Sequence, residues 1–370
     1  MSPQMSRRDF LKLLALLPLS RVKRHHSLGE KRRLLHSHGA PNILILVFDA
    51  LSAKHMSVYG YNRQTTPNLA RFAERATAYH AHYSAGNFTT PGVASILTGT
   101  YPWSHRALHF HGTVAENYRG KNLFRALAPE AYHGIAYSHN VLATLLLHQF
   151  RRDLDVFPRT GDLQLFNREF SDQVLFNDYN VALWSEWFLL GEGRSPPGSL
   201  FLFLLDRMRR FLYENEFAKE YGSLFPRGLP YYHRRYFLLE RAIDDIEAQL
   251  SSSPRPFLAY FHLWPPHSPY ATRREFIDLF DDGWTAAAKE DHFFSQGHSD
   301  EFLNRARRAY DEYIAYTDAE FGRLYDFMGQ TGVLDDTYVV VKLITARCLK
   351  EAFFVTRLQH CMSQSFISHF

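Results

Sequence analysis

The chain has 370 residues, 42 Lys+Arg against 38 Asp+Glu, a formal net charge of +4 and 46% hydrophobic residues, values that suit one large α/β domain or two modest ones and exclude wholesale disorder. Much of the positive excess lies before residue 40, so the remainder is close to neutral and carries no basic footprint for nucleic acid. Cys348 and Cys361 are the two cysteines, too few and too late in the chain for a disulfide framework or a cysteine-based zinc site.

Residues 6–12 read Ser-Arg-Arg-Asp-Phe-Leu-Lys, and the apolar stretch Leu13 to Leu19 follows. This resembles the twin-arginine export signal and predicts an exported, extracytoplasmic or cell-surface protein of a prokaryote. The alternative is a basic, unstructured N-terminus on a cytoplasmic protein. Residues 21–38, rich in Arg, Lys and His, read as a solvated linker able to touch an anionic membrane surface. Domain 1–40 is therefore signal and linker, and no apolar run in the chain reaches the roughly 18 residues of a spanning helix.

Folded sequence begins at Pro41. Asn42 to Phe48 is a continuous branched apolar run, the pattern of a strand buried on both faces of a parallel sheet. It ends in Asp49, either a ligand-gathering carboxylate at the end of a central strand or a cap for the next segment. Thr66-Pro67 opens a helix with Thr66 as N-cap, and Leu69, Phe72, Ala73 and Ala76 form its core stripe. Ala78 to Ser84 reads as a short strand. The loop Gly86-Asn87-Phe88-Thr89-Thr90 then leads into a helix from about Pro91 that Gly99 terminates. Thr89 thus sits at a helix N-terminus, where free N–H groups favour an anion and a hydroxyl is placed to attack a phosphoryl or sulfuryl group. A plain N-cap is the other reading of Thr89 or Thr90.

His105, His109 and His111 follow that helix, as pocket-lining or as ordinary surface residues. His139 and Asn140 follow a strand predicted over Gly134 to Ser138. Residues 165–250 are rich in Phe, Tyr, Leu and Trp and read as helices packed on the sheet or as a lid, with Leu200 to Leu205 as a buried segment.

In this order the segments resemble the sulfatase-like branch of the alkaline phosphatase/sulfatase superfamily. The carrying residues are Asn42 to Asp49, Tyr59-Gly60-Tyr61, Thr66 to Leu69, Thr89-x-Pro91 through Leu97-Thr98-Gly99-x-Tyr101-Pro102, Phe261-His262, Pro266-His267-Ser268-Pro269-Tyr270, and Tyr310 to Val341. The resemblance implies a three-layer α/β sandwich with a central, mostly parallel sheet over residues 41–341, containing a helical, aromatic insert at about 165–250. It implies a divalent metal (Zn, Mn, Mg or Ca) with Asp49 and Thr89 among the ligands, Thr89 as nucleophile, His267 as a second catalytic group, and His139, Asn140 and His105 toward the substrate. That substrate is a phosphate or sulfate ester, lipid-linked or on a glycan. Where sulfatases carry Cys-x-Pro-Ser-Arg, this chain has Thr89-Thr90-Pro91-Gly92-Val93, from which formylglycine cannot be made. A Thr in that place resembles phosphoethanolamine transferases and related phosphodiesterases, which favours phosphoryl chemistry.

The family follows its next strand, here predicted over Thr337 to Val341, with an Asp-His-Gly metal loop; this chain continues Lys342-Leu343-Ile344-Thr345-Ala346-Arg347-Cys348. Permitted codons for that stretch, read one frame out, give Thr-Asp-His-Gly-Glu-Met-Phe, and agreement with the family continues along the tail. Residues 342–370 are accordingly expected to be out of frame and the sheet incomplete at its C-terminal side. Three functions remain open: a metal-dependent hydrolase or phosphotransferase, an inactive remnant of one, and a lipid-surface binding protein.

Overall fold

The computed structural model describes residues 39–158, 165, 200–232, 235–285, 299–344 and 350–356. The signal and linker over 1–38, most of the aromatic insert before residue 200, and Cys348 and Cys361 lie outside the described residues.

Six strands form one sheet: β1 (Asn42–Asp49), β2 (Ala76–Tyr83), β3 (His133–Ser138), β4 (Phe257–Leu263), β5 (Thr337–Ile344) and β6 (Lys350–Thr356), in the spatial order β2-β6-β5-β1-β4-β3. β1 lies at the centre, parallel to β4 and β5, and β3 runs parallel to β4. β6 is antiparallel to both β5 and β2. Beyond residue 341, where the sequence reading places the out-of-frame tail, β5 continues to Ile344 and β6 adds a further strand.

Among the described residues, the helices of seven residues or more are α1 (Pro67–Ala73), α2 (Thr89–Thr98), α3 (Val141–Gln149), α4 (Leu200–Tyr221), α5 (Leu239–Ser252) and α6 (Asp300–Gln330). Strand alternation sorts them into layers. Leu44, Leu46 and Phe48 of β1 face one side and pack with residues of α1, α5 and α6, among them Leu69, Ile243 and Phe321. Ile45 and Val47 face the other and pack with Val93, Leu97, Ala143 and Leu146 of α2 and α3. Each fully buried Leu, Ile or Phe contributes about 1.5–3 kcal/mol, so these two cores hold the three layers together. Asp49, two residues beyond Val47, continues the α2/α3 face.

Several local expectations shift under tertiary packing. Thr66 precedes α1 but makes no capping bond; its hydroxyl pairs with that of Ser57 at 2.9 Å. The open N–H groups of Asn68 and Leu69 instead donate to Asp318 of α6, at 2.7 and 2.8 Å. A side chain at Gly322 would collide with the Asn68 amide, so a glycine there permits this approach of α6 to α1. Ala76, expected in the stripe of α1, opens β2 instead. Leu200 to Leu205 was expected to be buried; the segment opens the long helix α4, and Leu204 is 54% exposed. With Met208, Phe211 and Leu212 it forms an exposed stripe at helical spacing, because α4 packs through the opposite side, where Phe217 is buried. Among the described residues no helix is long and apolar enough to cross a membrane.

Candidate functional site

The site gathers at the carboxyl ends of β1, β4 and β3, on the face that carries α2 and α3. Asp49 ends β1 and is 2% exposed. The next residue, Ala50, takes the left-handed conformation (φ 58°), which few non-glycine residues adopt. Its amide donates to the Ile344 carbonyl, and its own carbonyl accepts from the Tyr310 hydroxyl at 2.6 Å. That hydroxyl also accepts from the Ser52 amide at 2.9 Å, so α6 fixes the turn that presents Asp49. Tyr310 does this positioning without touching the site, and no sequence spacing marked it for the role.

Thr89 is the first helical residue of α2, and Gly99 ends the helix in the left-handed region (φ 64°), as predicted. The two adjacent threonines are separated by the fold. The Thr90 hydroxyl is spent on the Phe110 carbonyl at 2.7 Å, whereas Thr89 Oγ1 lies 3.4 Å from Asn140 Nδ2. Gly86 is required nearby, since a Cβ there would lie 2.7 Å from the Pro91 ring.

Asn140 joins the elements. It is the N-cap of α3: its Oδ1 accepts from Leu142 N at 2.8 Å and Ala143 N at 3.4 Å. With the oxygen so engaged, its amide N–H groups must turn toward the site, where Nδ2 donates to Asp49 Oδ2 and faces Thr89. Asp49 is approached from the β4 side by His262 Nε2, 3.4 Å from Oδ2. Burial raises the Asp49 pKa, but the hydrogen bond from His262, the nearby His267 and the Asn140 amide outweigh it and hold the carboxyl below its usual range.

His139 is buried, stacked on Phe237 with centroids 4.2 Å apart. Its Nδ1 accepts from Trp264 N at 3.4 Å, so Nε2 carries the proton and finds no partner among the described residues. Burial first, and the neighbouring His262 ring second, depress its pKa to about 3, and the ring is neutral at any physiological pH. His267 is half-buried, packs on Trp264 at 3.9 Å and bonds the Ser268 carbonyl through Nδ1 at 2.9 Å, which leaves Nε2 free to act. Asn140 links Asp49 and Thr89 directly, and His267 is near enough to act on the Asp49 carboxyl, whereas the His139 ring packs on Tyr137 and Phe237 and makes no contact with these side chains among the described residues. His105 does not join them either. Its ring is fully buried, with Nδ1 accepting from Ala107 N at 3.1 Å and Nε2 on Ser95 Oγ at 2.9 Å, so both nitrogens serve the core and neither is open to a substrate.

A divalent ion needs several anionic or imidazole ligands. Among the described residues no group of three His, Cys, Asp or Glu side chains is arranged to hold one. Asn140 turns donors, not its oxygen, toward Asp49. On the β5 side the residues facing the site are Lys342, in register with Val47, and Ile344, in register with Asp49. Ile344 Cγ2 would lie 3.9 Å from a Cβ at Gly92, so it covers the start of α2 with an apolar side chain. The described residues do not fit a metal, and the expected Asp-His pair is not on the strand end that would carry it.

The site thus sets a carboxylate at the end of the central strand of a three-layer α/β fold, with a hydroxyl at a helix N-terminus near it. The chain belongs to the sulfatase family, whose sequence profile matches residues 41–341. It is similar to the choline-sulfatase of Rhizobium meliloti, 24% identical over 329 residues that cover 82% of this chain and 56% of the relative. The ulvan-active sulfatase of Formosa agariphila is 31% identical over 124 residues, 32% of this chain and 21% of that one. This chain thus spans about half the length, or less, of these curated relatives. Among solved structures, the phosphonate monoester hydrolase of Agrobacterium radiobacter superposes with a TM-score of 0.57 at 14% identity, covering 86% of this chain and 68% of that one, which supports the fold.

Proposed function

We propose that this site is built for phosphoryl rather than sulfuryl transfer, with Thr89 as the nucleophile. The observation that carries the reading is the division of labour between the two threonines: Thr90 is tied to the Phe110 carbonyl, and Thr89 stands beside Asn140 and Asp49. Thr89 Oγ forms a bond to phosphorus as the ester oxygen leaves, the Thr89 hydroxyl proton passes to water, and His267 supplies the leaving oxygen with a proton. Water then cleaves the Thr89 phosphoester in a hydrolase, or an acceptor alcohol takes the group in a transferase. The α2 N-terminus and the Asn140 amide supply donors for the non-bridging oxygens. The substrate class is a phosphate diester or a phosphonate monoester, lipid-linked or on a glycan.

Nothing in the described site withdraws the Thr89 proton strongly, and the residues present do not fit the family's metal. We therefore infer that the 370-residue chain turns over poorly, and that residues 342–370 are an out-of-frame reading of a tail that would otherwise supply Asp and His. Sequencing the coding DNA through codon 342 tests the second point; an unbroken frame with the same tail in independent isolates would refute it. The first is tested in the frame-restored protein with a phosphodiester, a phosphonate monoester and an aryl sulfate. Thr89→Ala should abolish turnover and Thr90→Ala should not; the reverse ranking, or faster turnover of the sulfate, would overturn the reading.

A further inference from the structure

The described mechanism leaves one fully buried pair unused. Tyr260 and His262 are two residues apart on β4, so both face the α2/α3 side, and both are 0% exposed. The Tyr260 hydroxyl lies 3.3 Å from His262 Nδ1 and has no second partner among the described residues. His262 Nε2 has no regular hydrogen-bond partner, and it lies 3.4 Å from Asp49 Oδ2.

The hydrogen bookkeeping separates two arrangements. If Nδ1–H donated to the phenol, the hydroxyl proton of Tyr260 would be stranded in the core, and a bare Nε2 would present its lone pair to a carboxylate. If the phenol donates to Nδ1, its proton is satisfied and Nε2–H points at Asp49. Burial, and then the Asp49 charge, raises the Tyr260 pKa far above its ordinary value, so the phenol keeps the proton this arrangement needs.

We propose that Tyr260 and His262 form a positioning relay for Asp49: the phenol fixes the Nε2–H tautomer of His262, and that N–H, with the Asn140 amide, occupies Asp49 Oδ2 and leaves Oδ1 as the oxygen that faces a ligand. The inference rests on Asp49 being the site carboxylate. It assigns the orientation of that carboxylate to a second strand, since β4 and α3 each contribute one donor to the same oxygen. His262 is a positioning residue, acting through Asp49.

The test is long-range 15N–1H correlation on the full chain labelled in histidine, with the His262 ring identified by its loss in His262→Gln or by its proximity to the Tyr260 ring protons. The expected result in the parent chain, which needs no variant, is a proton on Nε2 and none on Nδ1. A ring protonated at Nδ1 alone, or at both nitrogens, would overturn the proposal. Asp49→Asn should move the Nε2 proton upfield, and Tyr260→Phe should convert the single tautomer to a mixture. An Nε2 proton unmoved by the first change, or a tautomer untouched by the second, would equally overturn it. Absence of phosphodiester turnover in the frame-restored protein, with these ring signals intact, would count against the phosphoryl-transfer reading and leave the relay standing.

Discussion

Val47 has two register partners, His262 on β4 and Lys342 on β5, and the contrast between them divides the site. On the β4 side the strand end is built for a carboxylate: His262 and Asn140 address Asp49, while His139 and Trp264 complete a buried polar wall. On the β5 side a half-buried Lys342 and the buried Ile344 occupy the same face and offer no acceptor. Both sides have ordinary strand geometry and pair in parallel with β1 along most of its length. Backbone complementarity fills a sheet position with any extended sequence, whereas a ligand shell needs particular side chains, so one can be satisfied while the other is not.

The largest expected effect tests that contrast directly. Replacing residues 342–348 by Thr-Asp-His-Gly-Glu-Met-Phe, with the tail restored in frame, should convert a chain that binds zinc, manganese, magnesium or calcium weakly into one that binds a divalent ion stoichiometrically. Calorimetric titration beside an ester-hydrolysis assay reads both properties. Tight metal and turnover in the chain as it stands would erase the distinction between the two sides.

Next come the two threonines in the restored protein. Thr89→Ala should lower kcat by about a thousandfold or more, because a covalent nucleophile has no substitute. Thr90→Ala should cost about 0.5–1.5 kcal/mol of stability through its lost bond to Phe110, with a much smaller kinetic effect.

On the built side, Asn140→Ser keeps a helix cap and removes the donor to Asp49, while Asn140→Asp keeps the cap and sets a second carboxylate against the first. At pH 7 the Asp variant should be the less stable, by about 1–3 kcal/mol in urea unfolding. In the parent chain the Asp49 carboxyl has a folded pKa below its unfolded one, so its contribution is full above about pH 4 and is lost as pH falls through the folded value. Equal stability of the two variants at pH 7 would show that the Asn140 amide does not matter to Asp49.

The smallest effect lies on the β5 side. Burial, and then the Lys342 charge, lowers the His82 pKa to about 4. Lys342→Leu should raise it, visible in an NMR titration of the His82 ring, with stability changed by no more than about 0.5 kcal/mol. A large loss of stability would mean that Lys342 is structurally committed and the β5 side more specific than described.

The sequence by itself determined the central strand, because six consecutive apolar residues from Ile43 to Phe48 have no other economical home than the middle of a parallel sheet, and it placed Asp49 at that strand's end. It determined α2 and its Gly99 terminator, and it singled out Thr89, His139, Asn140 and His267, since caps, helix ends and family motifs are local signals. Tertiary structure alone decided which threonine is free, because Phe110, twenty residues on, claims Thr90. It moved the capping of α1 from Thr66 to Asp318, 250 residues away from Asn68, and withdrew His105 into the core. It also brought Tyr260 and His262 against Asp49. Alternation could show that these two share a face, but only the pairing of β4 with β1 says that the face is the one Asp49 occupies. Local patterns fix what a segment becomes; which side chains meet depends on strand order and register, which the chain settles by burying its apolar faces together.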